Sequence, residues 1–219
     1  FDNAITLLMA IGGSTNAVIH LLALARRVGV DLPLSRFHEI SERTPRIVNV
    51  RPSGEHLVQQ LFQAGGIRAV LAELEPLLHR NALTVTGRPL ADAFPGAREP
   101  DGEVISTLSE PFDATGGIAV VRGSLAPNGA VIKRSAASPE LLSHRGPAVV
   151  FDDIHDLGAR IDAPDLDVTA DSVLVLRNCG PIGAPGMPEW GMVPIPAKLL
   201  RAGVTDMVRI TDARKIGRA

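Results

Sequence analysis

This chain has a single cysteine and no long apolar run, and each of these features excludes certain kinds of site or location. Cys179 is the only cysteine among 219 residues, which excludes an internal disulfide and any zinc or iron–sulfur site built from several cysteines of this chain. A single cysteine fits a reducing compartment, so we expect a cytoplasmic protein. No apolar run reaches the ~18–20 residues that cross a bilayer, and no membrane partner is expected.

The net charge is also small, and aromatic residues are few. The chain has 22 Lys and Arg residues against 24 Asp and Glu residues, which gives a formal net charge of −2 at pH 7. Because nucleic-acid-binding domains carry a basic surface that faces the phosphates, no nucleic-acid partner is expected. Tyrosine is absent and tryptophan occurs once, so the core must consist mainly of Leu, Val, Ile and Ala.

Two kinds of pattern divide the chain near residues 95–103. Before this point apolar residues recur at helical spacing, and after it short apolar runs alternate with turn residues. We therefore predict domains at residues 1–98 and 99–219. The fold class is predicted to be α+β, with a helical piece followed by a β-barrel-like C-terminal domain. The chain starts with Phe1 and not Met, in the middle of an apolar pattern, which predicts an incomplete chain.

Several elements have clear local signals. The helix that follows Gly12 and Gly13 is predicted to end at Gly29, and a helix over residues 195–202 is predicted to end at Gly203. The Asn-Gly pair at residues 128–129 predicts a turn between two strands. Strands are predicted over the short apolar runs, which are residues 118–121, 130–133, 147–151, 173–176 and 207–210.

The segment RNCGPIGAPGMPE, residues 177–189, follows one of these runs and ends in Glu189. Its glycines and prolines exclude a regular helix or a central strand, because proline fixes φ while glycine permits positive φ. A rigid loop that leaves a strand and presents a carboxylate suits a metal site or an active site. The alternative is a tight structural connection with an incidental surface Glu.

A second candidate site is the segment AIGGSTN, residues 10–16. Ser14, Thr15 and Asn16 stand at the predicted start of a helix, where free N–H groups and the helix dipole attract carboxylates or phosphates. The spacing is neither a Walker A loop nor GxGxxG, so a nucleotide site is poorly supported. The alternative is an N-cap and a tight turn between two packed helices.

These segments and others stand in an order that resembles the dihydroxy-acid / phosphogluconate dehydratase family over essentially the whole chain. The matching motifs are FDNAI (1–5), AIGGSTNAVIH (10–20), PSG (52–54), AGG (64–66), TVTG (84–87), GGIA (116–119), GP (180–181), PGMPE (185–189) and ITDAR (210–214). Two variants, RNCGP at 177–181 and VTDMVRITDAR at 204–214, are similar to the sugar-acid (aldonate, pentonate such as arabinonate) dehydratases. The resemblance implies that residues 1–98 are the end of an α/β cluster-binding domain and that the barrel-like domain is incomplete.

The resemblance also implies a reaction, the removal of water from a polyhydroxy acid to give a 2-keto-3-deoxy acid. In the family Mg²⁺ holds the substrate carboxylate and 2-hydroxyl. An iron–sulfur cluster acts as the Lewis acid on the departing 3-hydroxyl. A serine alkoxide takes the Cα proton, and a serine is a weak base unless cations lie close to it.

Carried onto this sequence, Glu189 matches the family's C-terminal magnesium ligand, and Ser14, Thr15 and Asn16 are predicted to bind substrate. Ile216 occupies the position of the basic serine, and isoleucine has no proton to exchange. Cys179 matches no cluster ligand; those ligands and the other metal ligands belong to a region upstream of Phe1 in the family. We therefore predict that this chain alone is inactive.

Three hypotheses stay open at this point. The chain is part of a sugar-acid dehydratase, a non-catalytic remnant of one, or a carboxylate- or phosphate-binding module built on residues 12–16. The first implies a small-molecule sugar acid as substrate and, by resemblance, a homodimer or homotetramer. C5 and C6 acids, which differ by one hydroxymethyl group, are both candidate substrates.

Overall fold

The computed structural model describes residues 1–180 and 193–213. Its contacts divide the chain into two compact units, Phe1–Ala136 and Ala137–Ala219. Helices and strands are mixed along the described residues, which confirms the α+β class. The domain boundary between residues 98 and 99 stays a prediction. No helix in the described ranges combines the length and the apolar character that crossing a membrane requires.

The first unit begins with helices whose ends follow the sequence signals. They are α1 (Asp2–Ala10), α2 (Thr15–Arg27), α3 (Leu34–Arg43), α4 (Val58–Gln63) and α5 (Gly66–Glu73). Gly29 follows α2 with a φ of +73°, a left-handed conformation that ends a helix and favours glycine. Gly65, with a φ of +115°, follows α4 and is the N-cap of α5, and Gly66, with a φ of +63°, is the first residue of α5. The predicted end of α2 at Gly29 is thereby confirmed.

A hairpin completes one core of the first unit. Strands β1 (Ala119–Val121) and β2 (Ala130–Ile132) pair antiparallel, with Val120 opposite Val131. The predicted turn before β2 is confirmed, and Gly129 adopts a φ of +104° there. The core beside this hairpin joins α1, α2, α3 and β1 and contains Ile5, Leu8, Met9, Val18, Phe37, Ile40, Ile118 and Val120.

The second core of this unit lies under α4 and α5. Extended segments at residues 47–50 and 104–105 pack there against the two helices. They are joined to each other by backbone hydrogen bonds like those of a sheet, and the Asn49 N–H donates to the Val104 carbonyl at 3.0 Å. The buried members are Ala10, Ile47, Val48, Val50, Leu61, Ala64, Ala69, Val70, Leu74, Leu78, Phe94, Val104 and Ile105.

The second unit contains a parallel sheet. Its strands are β3 (Ala148–Phe151), β4 (Val173–Leu176) and β5 (Arg209–Thr211), in the order β3-β4-β5. Helix α6 (Ile154–Arg160) lies in the connection from β3 to β4, and α7 (Ala197–Arg201) in the connection from β4 to β5. Parallel neighbours need such crossovers, because a tight turn can join only antiparallel strands.

Side chains alternate along these strands as a half-buried sheet requires. Val149, Phe151, Leu174 and Leu176 are buried, whereas the residues between them are partly or fully exposed. The buried residues pack with Leu157 of α6 into one core. The strands predicted at 147–151, 173–176 and 207–210 are therefore present, but within the described residues they form an open parallel sheet and no closed barrel.

Candidate functional site at the carboxyl edge of the parallel sheet

Two of the predicted site residues, Glu189 and Ile216, lie outside the described residues. The segments that lead to them are described up to Gly180 and Ala213. These segments follow β4 and β5, and both leave the sheet at the same edge, because Leu176 is paired with Thr211 in the parallel register. In open parallel sheets ligands bind at this carboxyl edge. It is the strongest candidate site in the second unit.

The segment after β4 is fastened to the segment after β3. The Arg177 N–H donates to the Phe151 carbonyl at 2.9 Å, which extends the ladder by one residue. The Arg177 guanidinium pairs with the Asp152 carboxylate at 3.2 Å. Asn178 adopts a φ of +55°, an uncommon conformation that asparagine tolerates, and its side-chain amide donates to the Asp152 carbonyl at 3.0 Å.

The same segment is fastened to the segment after β5 through Asp212. The Cys179 N–H donates to Asp212 Oδ1 at 3.0 Å. Gly180 comes so close that an added Cβ would lie 2.5 Å from the Asp212 backbone oxygen and 3.1 Å from its Oδ2. Only glycine fits this approach. Asp212 therefore contacts the turn that starts the glycine- and proline-rich segment, through its carboxylate and its backbone oxygen.

Cys179 is enclosed at this edge. It is 1% exposed and belongs to the core of the second unit. Burial, and then the negative charge of Asp212, raise the pKa of the Cys179 thiol. A thiol held in its neutral form is a poor metal ligand and a poor nucleophile. Cys179 is therefore a small buried residue of the core and does not fit a cluster ligand.

No set of metal ligands is complete in the part of the chain that the structure describes. Among these residues no three His, Cys, Asp or Glu side chains come together to hold an ion. An iron–sulfur cluster therefore has no fitting set of thiolates there, and these residues support no reaction step through one. The magnesium ligand predicted at Glu189 stays a prediction.

The second candidate site, at the start of α2, belongs to the first unit. Ser14 is the N-cap of α2, and its Oγ accepts a hydrogen bond from the Asn16 N–H at 3.2 Å. Ser14 is exposed, and Thr15 and Asn16 are half-buried. The predicted N-cap is confirmed. Because the Ser14 hydroxyl already satisfies one N–H of the first turn, an anion at this place would have to compete with it or use other donors.

Hydroxyl groups surround the turn that precedes Ser14. The Ser53 hydroxyl donates to the Gly12 carbonyl at 3.3 Å, and Ser135 Oγ lies 2.8 Å from Ser53 Oγ. Gly12 has a φ of +57°, and an added Cβ would lie 3.0 Å from Ser53 Oγ. Glycine is therefore needed at Gly12 both for its backbone conformation and for this close approach.

Basic side chains lie in the same part of the first unit. Arg46 is 8% exposed and pairs with Asp113, and its Nη1 donates to the Val48 carbonyl at 2.8 Å. Burial, and then the positive charge of Arg46, lower the pKa of Lys133. The first effect follows from desolvation of the ammonium and the second from repulsion between like charges. The Arg46 guanidinium thus already has a carboxylate partner, Asp113, although its charge still acts on Lys133.

Two family models match this sequence. The dihydroxy-acid/6-phosphogluconate dehydratase N-terminal model matches residues 1–93, and the C-terminal model of the same name matches residues 103–219. The chain belongs to the dihydroxy-acid/6-phosphogluconate dehydratase family. The resemblance drawn from the sequence motifs is therefore confirmed.

Relatives in this dehydratase family match the chain from end to end. It is 53% identical to the L-arabonate dehydratase of Azospirillum brasilense over 222 residues and 49% identical to the L-arabinonate dehydratase of Rhizobium leguminosarum over 221 residues. These alignments cover 100% of this chain and 38% of each relative. The dihydroxy-acid dehydratase of Ignicoccus hospitalis is 46% identical, over 99% of this chain and 39% of the relative. The chain thus spans about 38% of the length of the dehydratases that it matches most fully.

Sequence reasoning found the segments of this chain that approach the sheet edge but missed the contacts that join them. Asp152, Asp212 and Ser135 were not among the predicted site residues. Asp212 has one usable signal, since it lies two positions after an apolar run predicted as a strand. The helix between the last two runs was predicted at residues 195–202, but the one between the runs at 147–151 and 173–176 was not. Had that helix also been recognised, a parallel sheet would have followed, and with it a shared edge for all three strand ends.

Proposed function

We propose that this chain forms part of a hydro-lyase that removes water from a sugar acid and yields a 2-keto-3-deoxy acid. The observation that carries the proposal is the match to both family models, with 53% and 49% identity to arabinonate dehydratases against 46% to a dihydroxy-acid dehydratase. The substrate class is accordingly a small polyhydroxy carboxylate, with a C5 acid such as L-arabinonate as the first candidate.

Glu189 is proposed as a magnesium ligand of this enzyme. The family uses metal cofactors, and a hard divalent cation takes carboxylate oxygens. A magnesium ion would supply a positive charge that favours binding of the substrate carboxylate and stabilises charge at Cα. Support comes from the position of Glu189 at the end of a segment that begins at the carboxyl edge of the sheet.

Substrate contacts are proposed for Ser14, Thr15 and Asn16 at the start of α2. The hydroxyls of Ser53 and Ser135 near the preceding turn add polar groups that suit a polyhydroxy acid. Sugar hydroxyls both donate and accept hydrogen bonds, as serine and threonine hydroxyls do. A carboxylate- or phosphate-binding module without lyase activity is the less supported alternative, because Arg46 is already paired with Asp113.

The 219 residues alone are proposed to be inactive. Isoleucine at position 216 offers no group that can take the Cα proton. Residues equivalent to the remaining part of the relatives, which the alignments leave unmatched, are not among these 219. Activity is therefore tested in a hybrid enzyme that supplies them.

In this hybrid the chain replaces the matching segment of the Rhizobium leguminosarum L-arabinonate dehydratase, once unchanged and once with Ile216→Ser. The unchanged hybrid is expected to form no detectable 2-keto acid from L-arabinonate. Ile216→Ser is expected to raise the rate by about 10²–10⁴-fold, the usual contribution of a positioned base. Ile216→Ala is the matched control, because it removes the same bulk without adding a hydroxyl, and it is expected to stay inactive.

Other outcomes separate the alternatives. Turnover by the unchanged hybrid would contradict the role given to position 216. If the Ile216→Ser hybrid is folded, carries its metals and still dehydrates neither L-arabinonate nor a branched 2,3-dihydroxy acid, the segment is a non-catalytic remnant. Preference for the branched acid would overturn the sugar-acid assignment alone. In the active hybrid, Glu189→Gln is expected to raise the Mg²⁺ concentration needed for half-maximal rate at least about tenfold.

A further inference from the structure

Two glycines touch in the first unit, and basic residues stand next to their contact. Gly12 and Gly117 are both buried, and an added Cβ on Gly117 would lie 2.6 Å from the Gly12 Cα. The segment that follows β2 runs past this contact, because the Ser135 N–H donates to the Gly117 carbonyl at 3.2 Å. Lys133 and Arg134 directly precede Ser135, so this segment brings two positive charges to the place where the glycines meet.

These two positive charges have no carboxylate partner among the residues that the structure describes. Arg134 Nη2 donates to the Gly116 carbonyl at 2.9 Å, which is a neutral acceptor. Lys133 is half-buried and forms no ion pair with any described carboxylate. The charge of Arg46 acts on Lys133 as well, but Arg46 is paired with Asp113. Positive charge is therefore in excess beside the glycine contact.

Hydroxyl oxygens lie at the same place. The Oγ atoms of Ser53 and Ser135 are 2.8 Å apart. The Ser53 hydroxyl donates to the Gly12 carbonyl at 3.3 Å, and Ser135 Oγ lies 3.1 Å from the Gly117 carbonyl oxygen. Because a hydroxyl has two lone pairs beside its one proton, both serine oxygens can accept a hydrogen bond from a ligand. The nearby cations attract an anion, and the serine oxygens suit hydroxyl groups that accompany the anion in the same ligand.

We propose that Lys133 and Arg134 bind an oxyanion, the carboxylate of a sugar acid or a phosphate group, beside the contact of Gly12 and Gly117. Ammonium and guanidinium groups carry several donors each, and hydrogen bonds between charged groups are stronger than neutral ones. The half-buried Lys133 ammonium, with a like charge nearby and no counter-ion, costs stability until an anion binds. Binding of the oxyanion does not rest on the proposed function; only the use of the site for a substrate does.

Lysines are few enough to report on this site directly. The chain has three, Lys133, Lys198 and Lys215, and only Lys133 belongs to the first unit. Isotope-labelled lysine therefore gives three Cε signals in a nuclear magnetic resonance spectrum, and the Lys133→Arg variant identifies the signal of Lys133. An oxyanion that binds the ammonium shifts this signal, while the other two signals serve as internal controls. The readout requires no turnover.

The unchanged 219-residue chain is titrated with L-arabinonate, with inorganic phosphate and with the neutral polyol L-arabinitol. At least one of the two anions is expected to shift the Lys133 signal until the site is saturated, and L-arabinitol is expected to leave the signal in place. A shift with phosphate alone would assign the site to a phosphate group, and a shift with L-arabinonate alone to the carboxylate of a sugar acid. If both bind, competition between them shows that they share the site.

Calorimetry compares the affinity for the bound anion among variants. Lys133→Met is expected to weaken binding at least about tenfold, the scale of one charge-assisted hydrogen bond, and Lys133→Arg should bind more tightly than Lys133→Met. Arg122→Met is the matched control, because it removes the same charge from an exposed position at the opposite end of the hairpin, and it should bind like the unchanged chain. In urea without ligand, Lys133→Met should be at least as stable as the unchanged chain, whereas loss of a lysine that only supports the fold would lower stability.

Two results would overturn the proposal: a Lys133 signal that neither anion shifts more than L-arabinitol does, or equal affinity in Lys133→Met and Arg122→Met. If Lys133→Met fails to fold, the Lys133 signal of the unchanged chain decides. Oxyanion binding together with an inactive Ile216→Ser hybrid would overturn the proposed function and leave the site in place. An active hybrid whose Lys133 binds no oxyanion would overturn the site and leave the proposed function in place.

Discussion

The start of α2 and the carboxyl edge of the parallel sheet present polar groups in different ways. At α2 a neutral hydroxyl, Ser14, caps its own helix, and the contacts around it come from other hydroxyls and carbonyls. At the sheet edge, the Asp152 carboxylate pairs with the Arg177 guanidinium, and the Asp212 carboxylate accepts a hydrogen bond from the Cys179 backbone N–H. The first region is defined mainly by local sequence, and the second by strand pairing. The two regions should therefore respond differently to the same kind of substitution.

The largest difference is expected for glycine substitutions at and near the sheet edge. Gly180→Ala should destabilise the second unit by about 1–3 kcal/mol, because the added Cβ would meet the Asp212 backbone. Gly158→Ala is the matched control within α6, where an added Cβ meets nothing within 4 Å. It should stabilise by roughly 0.5–1 kcal/mol, the usual gain of alanine over glycine in a helix. Urea unfolding measures both, and equal effects would remove the claim of a close approach at Gly180.

A smaller effect is expected at the start of α2. Ser14→Ala should cost about 1 kcal/mol, because the Asn16 N–H loses its acceptor. Ser14→Asn keeps a side-chain oxygen that caps well and should cost less than Ser14→Ala. Urea unfolding followed by far-UV circular dichroism compares the two. A Ser14→Ala chain as stable as the Ser14→Asn chain would show that the cap contributes nothing to stability.

The smallest effect concerns how the stability of the folded chain depends on pH. A helix capped by a carboxylate, Asp153, should differ in this respect from one capped by a hydroxyl, Ser14. Asp153 caps α6, and hydrogen bonds from the Asp156 and His155 amides lower its pKa below the usual value. A carboxyl whose pKa is lower in the folded chain stabilises it above the unfolded pKa. This contribution disappears as the pH falls through the folded pKa. Asp153→Asn keeps an acceptor and should flatten the fall in stability between pH ~5 and pH ~2.

The comparison for this last prediction is Ser14, whose hydroxyl does not titrate in that range. Unfolding curves of Ser14→Asn and of the unchanged chain should therefore run parallel with pH, whereas those of Asp153→Asn should converge with the unchanged chain at the acid end. Parallel curves for Asp153→Asn would mean that the carboxylate charge at this cap does not affect stability.

Local signals account for the part of the structure that was predicted. The cap at Ser14, the end of α2 at Gly29 and the turn before β2 each depend on a few neighbouring residues, and the structure has them. The parallel arrangement of β3, β4 and β5 depends on pairing between distant segments. Helix α6 has only seven residues, with Gly158 inside it, which is too short for helical periodicity to stand out.

In the candidate site, too, some residues were assigned from the sequence and others depend on contacts between distant segments. Glu189 and position 216 were assigned through family resemblance, because an isolated Glu or Ile has no signature of its own. Asp212 was not assigned, because its contact with Cys179 spans 33 positions, and its place just after a predicted strand does not by itself reveal that contact. Contacts of this kind follow only from the register of the sheet, and the register is fixed by which face of each strand is buried.

That register constrains how this part of the sequence can be exchanged among relatives. Leu176 and Thr211 are partners, so a single inserted residue in β5 would turn Asp212 to the opposite face of the sheet and away from the Cys179 N–H. Recombination between two dehydratases with a breakpoint inside residues 177–213 would combine a turn from one parent with a carboxylate from the other. The two ends of this stretch must therefore be inherited together.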